Sequence, residues 1–362
     1  MSTNDKKKAD LKSGWTTGAC ACAAAKAAYI GLVTGDFPKT VSIHLPRGEK
    51  PEFELTTCRF EADSARAGVI KDAGDDPDVT HGAEILATVA RAEQGSGINF
   101  HGGPGVGIVT KPGIPVAVGE PAINPGPRKI IARNLLEVAN ELDGPKDLSV
   151  TISIANGEKL ALQTLNPRLG IIGGLSVLGT TGVVVPYSCE AYIQSIQRAI
   201  DVARASGMTH IAGSTGYASE RAVQHYYDLP DLALIDMGDF VGGMLKYLRA
   251  HPLPRVTVAG GFAKLAKLAE GHLNVHSKES RVSFDALGNH MAALGAPQAI
   301  VDATRGANSA MEVLNIAETH GIPLAERIAA RCVAVGRDIL RDETTFDVLV
   351  VNRDGEVVAH AG

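Results

Sequence analysis

The spacing of apolar positions changes its period near the middle of the chain. From Thr17 the run TGACACAAAKAAY is small and almost continuously apolar, which predicts a helix to about Tyr29 that stops at Gly31. Alternating stretches follow, and TVSIHL (40–45), FELTTCRF (53–60) and GVIKD (68–72) predict strands. GDDPDVTHGAEILATVAR (74–91) has no single period and fits a turn followed by either helix or strand. GIVT (107–110) and VAVG (116–119) predict short strands among prolines. PRKIIARNLLEVANEL (127–142) sets Ile130, Ile131, Leu135 and Val138 on one side of a helix. LSVTISIA (148–155) and KLALQTL (159–165) flank NGE and predict a hairpin.

The second half alternates differently. YSCEAYIQSIQRAIDVARASG (187–207) predicts a long helix ended by Gly207. Three strand-and-helix units come next, with strands THIAG (209–213), LALID (232–236) and RVTVA (255–259). Helices over 218–228, 240–250 and 262–270 fill the gaps, so the pattern predicts a parallel sheet with right-handed crossovers. AERIAARCVAVGRDIL (325–340) predicts another helix, and FDVLVV and EVVAHA around NRDG predict a closing hairpin. The expected organisation is a polar disordered tail (1–13) and an α+β N-terminal domain (14–165). An α/β C-terminal domain (166–362) follows, Rossmann-like, with a parallel sheet and a terminal hairpin.

Composition narrows the function classes. At 362 residues the chain is long for one core. Aromatics are only 4% of residues, so packing relies on Ala, Val, Ile and Leu. The net charge of −5 carries no basic nucleic-acid footprint, although a locally basic site can still bind an anion. The first residues, MSTNDKKKADLKSG, lack the apolar core of a secretory signal, and no run approaches the ~18 apolar residues of a membrane span. A cytoplasmic protein without nucleic-acid or membrane partners is expected. Cys20, Cys22, Cys58, Cys189 and Cys332 are odd in number and lack a repeated CxxC spacing, so neither a disulfide framework nor a structural zinc site is expected.

Several segments carry candidate chemistry. Each predicted parallel strand ends in a glycine-rich turn: Gly213, Ser214, Thr215 and Gly216, then Asp236 leading to Asp239, then Gly260 and Gly261. Ligands of open parallel sheets bind beyond such strand ends, and an acidic residue like Asp236 suits a ribose diol. The same residues also suit plain turns with Asp239 as a helix cap. GGPGVG (102–107) runs into a proline-containing β segment rather than a helix, so it fails as a dinucleotide fingerprint. The glycine-rich run 170–186 fits either a ligand loop or a linker. KDAGDDPD (71–78) crowds Asp72, Asp75, Asp76 and Asp78 into one loop beside His81. This is a solvated turn or, by crowding that raises a carboxyl pKa, a base built from Asp75, Asp76 and His81. His272 and His276 in HLNVH share a helical face, but Leu273 stands where a metalloprotease helix needs glutamate. Lys111, Arg128, Lys129 and Arg168 sit on turns and suit a polycarboxylate ligand.

Long blocks of the chain resemble one known family. GWTTGACACAAAKAA, DAGDDPDVTHGAEI (72–85), GPGVGIVTKPGIPVAVGEPAINPGPRKII (103–131), NPRLGIIGGLSVLGTTGVVVPYS (166–188) and GGFAKLAKLAEG (260–271) are similar, in order, to the cobalt-precorrin-5B C-1-methyltransferase (CbiD) family. The resemblance implies methyl transfer from S-adenosylmethionine to C-1 of a cobalt-containing corrinoid, toward cobalt-precorrin-6A in anaerobic cobalamin biosynthesis. The three aligned strand ends are then the expected place for the cofactor. The substrate's carboxylates would meet Arg128, Arg168 and the helix start at Thr16, Thr17 and Gly18, beside Trp15. Cobalt arrives within the substrate, so no protein metal site is needed. A nicotinamide-dependent oxidoreductase and a non-catalytic corrinoid-binding protein are the alternatives.

Overall fold

The computed structural model describes residues 11–340 and 343–362. The chain divides into two compact units, one through Ser188 and one from Cys189 to Gly362. Residues 1–10 of the expected tail lie outside the described residues. Its last part is tied down: Lys12 Nζ meets Asp72 Oδ2 at 2.6 Å, and Ser13 bridges Gly74.

In the N-terminal unit, helix α1 (Thr17–Thr34) is capped by Thr16, whose Oγ1 accepts from the Ala19 N–H at 3.2 Å. It passes through Gly31 because Phe37 packs where a side chain would stand, and it ends at Gly35 in the left-handed region. Its length and mean hydropathy of 1.3 match a membrane span, yet 72% of it is buried inside the protein. The alanine and cysteine run is therefore a core helix, small enough for close approach on every side. It packs against two strands of the adjacent sheet and against helix α2. That sheet contains β1 (Thr57–Glu61), β2 (Ser64–Ile70), β3 (Glu84–Arg91) and β4 (Ile98–Gly102). After α2 (Pro125–Glu141) comes β5 (Leu148–Ile154). The strand order is β1-β2-β3-β5-β4, with β5 antiparallel to β3 and parallel to β4.

The expected hairpin after β5 does not form. Asn156 turns the chain through the left-handed region, and α3 (Gly157–Ala161) follows. The physical reason is a backbone crossing: a Cβ on Gly157 would lie 2.3 Å from the Gly105 carbonyl oxygen, so segment 103–106 passes beside this turn. Residues 116–119 form turns rather than a strand. The glycine-rich run 170–186 belongs to this unit through backbone pairing. Ile171–Ile172 pairs with Ile108–Val109, Gly174–Leu175 with Gly105–Val106, and Val183–Val184 with Gly14–Trp15. Those pairings carry the unit past residue 165 to Ser188.

The C-terminal unit starts with α4 (Cys189–Ala205) and alternates through β6 (His210–Ser214), α5 (Tyr217–Tyr227), β7 (Leu234–Asp236), α6 (Val241–Ala250), β8 (Arg255–Gly261) and α7 (Phe262–Ala269). Helices α8 (Phe284–Ala293), α9 (Gln298–Arg305), α10 (Ala310–Thr319) and α11 (Leu324–Ile339) lead to β9 (Thr345–Val351) and β10 (Val357–Ala361). The sheet order is β7-β6-β8-β9-β10, parallel except for β10. This is a mixed α/β protein with a mostly parallel C-terminal sheet. At the amino ends of these strands Arg255 Nε donates to the buried Asp347 Oδ2 at 2.6 Å, tying β8 to β9.

Candidate functional site

The strand order places a crevice at the carboxyl ends of β6 and β8. The chain leaves β6 toward β7 on one side and leaves β8 toward β9 on the other, so the two connections diverge beyond Ser214 and Gly261. Gly216 and Gly261 precede α5 and α7, and neither helix start has a side-chain cap. A Cβ at either glycine would meet nothing within 4 Å, so both face open space. Gly260 packs on the Thr215 side chain, and the Thr215 N–H donates to the Ala259 carbonyl at 3.0 Å.

Two of the expected ligand positions serve packing instead. A Cβ on Gly213 would meet the sulfur atoms of Met244 and Met237, so this glycine lets the helix layer close on the sheet. Ser214 is buried at 1% exposure. Asp239 does not cap a helix, since α6 begins after Phe240, and its Oδ1 faces Lys264 Nζ at 3.0 Å.

Charged groups gather at the crevice. Asp236 is exposed and accepts from the Tyr192 hydroxyl at 3.0 Å. Burial, followed by the Asp236 charge, pushes the Tyr192 phenol well above its usual range, and Asp239 and Glu220 act in the same direction. Asp236 is the carboxylate in contact with this hydroxyl. Lys264 Nζ also donates to the Thr215 carbonyl at 2.6 Å, joining the ends of β6 and β7. One turn later, buried Lys267 donates to the Val275 carbonyl at 2.9 Å, and its desolvation pulls the ammonium pKa down. Tyr192, Lys264 and Lys267 were not among the residues singled out from sequence. The lysines carried a signal, because both interrupt the otherwise apolar FAKLAKLA stretch. HLNVH forms no helix, and its Val275 N–H donates to the Asp239 carbonyl at 3.0 Å. Among the described residues, no three His, Cys, Asp or Glu side chains group as a metal site.

The candidates in the N-terminal unit are largely committed to local structure. Gly18 N–H donates to Leu178 O at 3.0 Å and Ala19 N–H to Thr16 Oγ1, while Thr16 and Thr17 are buried. The start of α1 is thus covered by the loop after Leu178 rather than open to an anion. Cys20 below it is inert, since burial pushes its thiol to about 12. Asp75 Oδ2 accepts from Lys12 N at 2.6 Å, Asp76 Oδ1 from Tyr187 N at 2.9 Å, and His81 Nδ1 from Ala73 N at 3.1 Å. Crowding does not raise Asp72 or Asp78. The Lys12 hydrogen bond holds Asp72 below the usual range. Burial raises Asp78, but the Lys71 and Thr80 bonds outweigh it and hold this carboxyl low as well. Arg128 donates to Ile123 O at 2.8 Å and to Glu120 Oε2 at 2.9 Å. Arg168 is half-buried in a turn two residues before Gly170, against which the Lys111 side chain packs.

Comparison with known proteins decides the family. A sequence profile of CbiD matches residues 3–186, and a profile of the CbiD C-terminal domain matches 274–362. The chain belongs to the CbiD family. The crevice residues 213–261 lie between the two matched segments of this CbiD chain. Whole-chain similarity spans that gap. A protein of Rhodospirillum rubrum named cobalt-precorrin-5B C(1)-methyltransferase is 56% identical over 97% of this chain and 98% of its own. Proteins of the same name from Paramagnetospirillum magneticum and a Bradyrhizobium species are each 54% identical. They cover 97% and 98% of this chain, and 98% and 95% of their own. A crystal structure of the cobalamin biosynthesis protein CbiD from Archaeoglobus fulgidus is 25% identical, with a TM-score of 0.40, over 86% of this chain and 85% of that one.

Proposed function

We propose that this chain is a cobalt-precorrin-5B C(1)-methyltransferase of cobalamin biosynthesis, with S-adenosylmethionine as its methyl donor at the carboxyl ends of β6, β7 and β8. The activity rests on CbiD relatives that carry this name and align with nearly the whole chain. The placement of the donor rests on one observation: exposed Asp236, held by the Tyr192 hydroxyl at 3.0 Å, ends β7 in the unit whose strand ends also carry open Gly216 and Gly261.

The donor set fits the cofactor's chemistry. A sulfonium and an ammonium are cations, and the carboxylates favour both. Asp236 is exposed and suits a ribose diol. The uncapped starts of α5 and α7 present N–H groups suited to a carboxylate. In chain order the strands of this sheet run 2-1-3-4, the flavodoxin-like rather than the Rossmann order of a doubly wound sheet, and such sheets bind ligands at the switch point, here between β6 and β8. When bound, S-adenosylmethionine supplies an electrophilic methyl group, and the carbon–sulfur electron pair departs with sulfur. The chain's own residues bind and orient, and alignment of this kind contributes several kcal/mol, with ~7 typical of well-oriented intramolecular reactions. For the corrinoid's carboxylates, Lys111 and Arg168 beside Gly170 are the proposed cations. The directly paired Ile108 and Ile172 are both exposed and offer an apolar strip for the ring face.

The reaction is tested by mixing the protein with cobalt-precorrin-5B and methyl-labelled S-adenosylmethionine. A single labelled methyl on the pigment is the expected result. Pigment binding without mass gain would identify a carrier, and NADPH-dependent change would identify an oxidoreductase. Asp236→Ala is expected to weaken S-adenosylhomocysteine binding by about tenfold or more in titration calorimetry, the scale of a charge-assisted hydrogen bond. Wild-type affinity in that variant removes the donor assignment.

A further inference from the structure

We propose that Tyr192 is a positioning residue, whose hydroxyl holds Asp236 so that the carboxylate offers its second oxygen to the vicinal diol of a nucleoside cofactor. The proposal rests on the cofactor placement above. Tyr192 comes from the first turns of α4, far in sequence from the strand it serves. Its Oη donates to Asp236 Oδ1 at 3.0 Å, and no hydrogen bond to Asp236 Oδ2 is found among the described residues. The ring is anchored against Phe240, with centroids 5.3 Å apart.

The turn after β7 is shaped around this hydroxyl. Gly238 adopts a φ of 52°, in the left-handed region, and a Cβ there would lie 2.8 Å from Tyr192 Oη. Glycine is therefore required twice over, by backbone conformation and by the space the phenol occupies. An exposed aspartate on a short turn loses rotamer freedom on binding a ligand. The Tyr192 hydrogen bond removes one rotamer choice before the ligand arrives. Burial and the neighbouring carboxylates keep the phenol protonated, so it remains a donor across the working pH range.

The diagnostic measurement compares two ligands in two proteins by calorimetry. The ligands are S-adenosylhomocysteine and an analogue lacking both ribose hydroxyls, and the proteins are wild type and Tyr192→Phe, which keeps the ring. Wild type is expected to prefer the diol ligand by about tenfold, and Tyr192→Phe by about threefold or less. The analogue should bind both proteins alike, and the melting temperature should hold. A tenfold preference retained in Tyr192→Phe overturns the proposal. Equal loss of both ligands does the same, since it shows a merely structural role. Absence of any diol preference in wild type, with Asp236→Ala also silent, overturns the cofactor placement and this proposal with it. An unchanged Tyr192→Phe beside a weakened Asp236→Ala overturns only the role of Tyr192.

Discussion

Gly105→Ala is expected to destabilise the N-terminal unit by about 4 kcal/mol or more. Gly105 sits at φ 80°, and a Cβ there would lie 2.0 Å from the Ile154 carbonyl oxygen and 3.1 Å from the Gly157 nitrogen. The obstruction is reciprocal. Cβ atoms on Gly157 and Gly174 would approach the Gly105 oxygen to 2.3 and 2.4 Å. Three chain segments therefore cross backbone against backbone, and none of the blocking atoms belongs to a flexible side chain. Left-handed strain costs about 1–3 kcal/mol and overpacking a similar amount, so the loss should reach about 4 kcal/mol or more. That is a large part of the roughly 5–15 kcal/mol available to a domain. Gly95→Ala is the control: its φ is 84°, nothing lies within 4 Å of its Cβ, and a loss of about 1 kcal/mol is expected. Denaturant unfolding compares the two. Equal midpoints for both variants would show that the crossing tolerates a side chain.

Lys71→Met should lower stability by about 3 kcal/mol at neutral pH. Lys71 is 1% exposed and its Nζ reaches Asp78 Oδ2 at 2.5 Å. The backbone around the pair is closed by Lys71 N to Ala83 O at 2.9 Å and Gly82 N to Lys71 O at 2.8 Å. Removing the ammonium leaves a carboxylate that is only a quarter exposed, which places the cost at the lower end of the range for broken buried pairs. Asp78 has a folded pKa below its unfolded value. Its contribution is therefore present above the unfolded pKa and is lost as pH falls through the folded one. The gap between wild type and variant should narrow as pH falls toward and below about 4. Lys71→Met with Asp78→Asn should recover part of the loss. A variant as stable as wild type at pH 7 would show that the pair contributes nothing.

Sequence pattern reached far in the C-terminal unit. Strands beginning near residues 209, 232 and 255 and the helices between them appear within a few residues of their expected bounds. Each is a local unit with its own period and its own terminating turn. The strand-end turns at 213–216, 236–239 and 260–261 were legible for the same reason. Their roles were not. Gly213 and Gly261 look alike in sequence, yet one packs on methionine sulfur and the other faces open space.

The N-terminal unit was harder to read because its elements meet over long separations. Two segments that looked like a hairpin around NGE became a strand and a helix, since a loop some fifty residues earlier occupies the space of the second strand. The acidic loop 71–78 read as either a solvated turn or a base of crowded carboxylates, and the second reading fails for Asp72 and Asp78, which Lys12 and the buried Lys71 hold low. By itself, the sequence determined the periodicity of the elements, the order of the parallel units and the family resemblance, all of which depend on neighbours within a few turns of chain. Only the tertiary structure decided which glycines carry backbone crossings, which charges are paired, and that Tyr192 meets Asp236. Those facts depend on which distant segments share space once the apolar surfaces are buried.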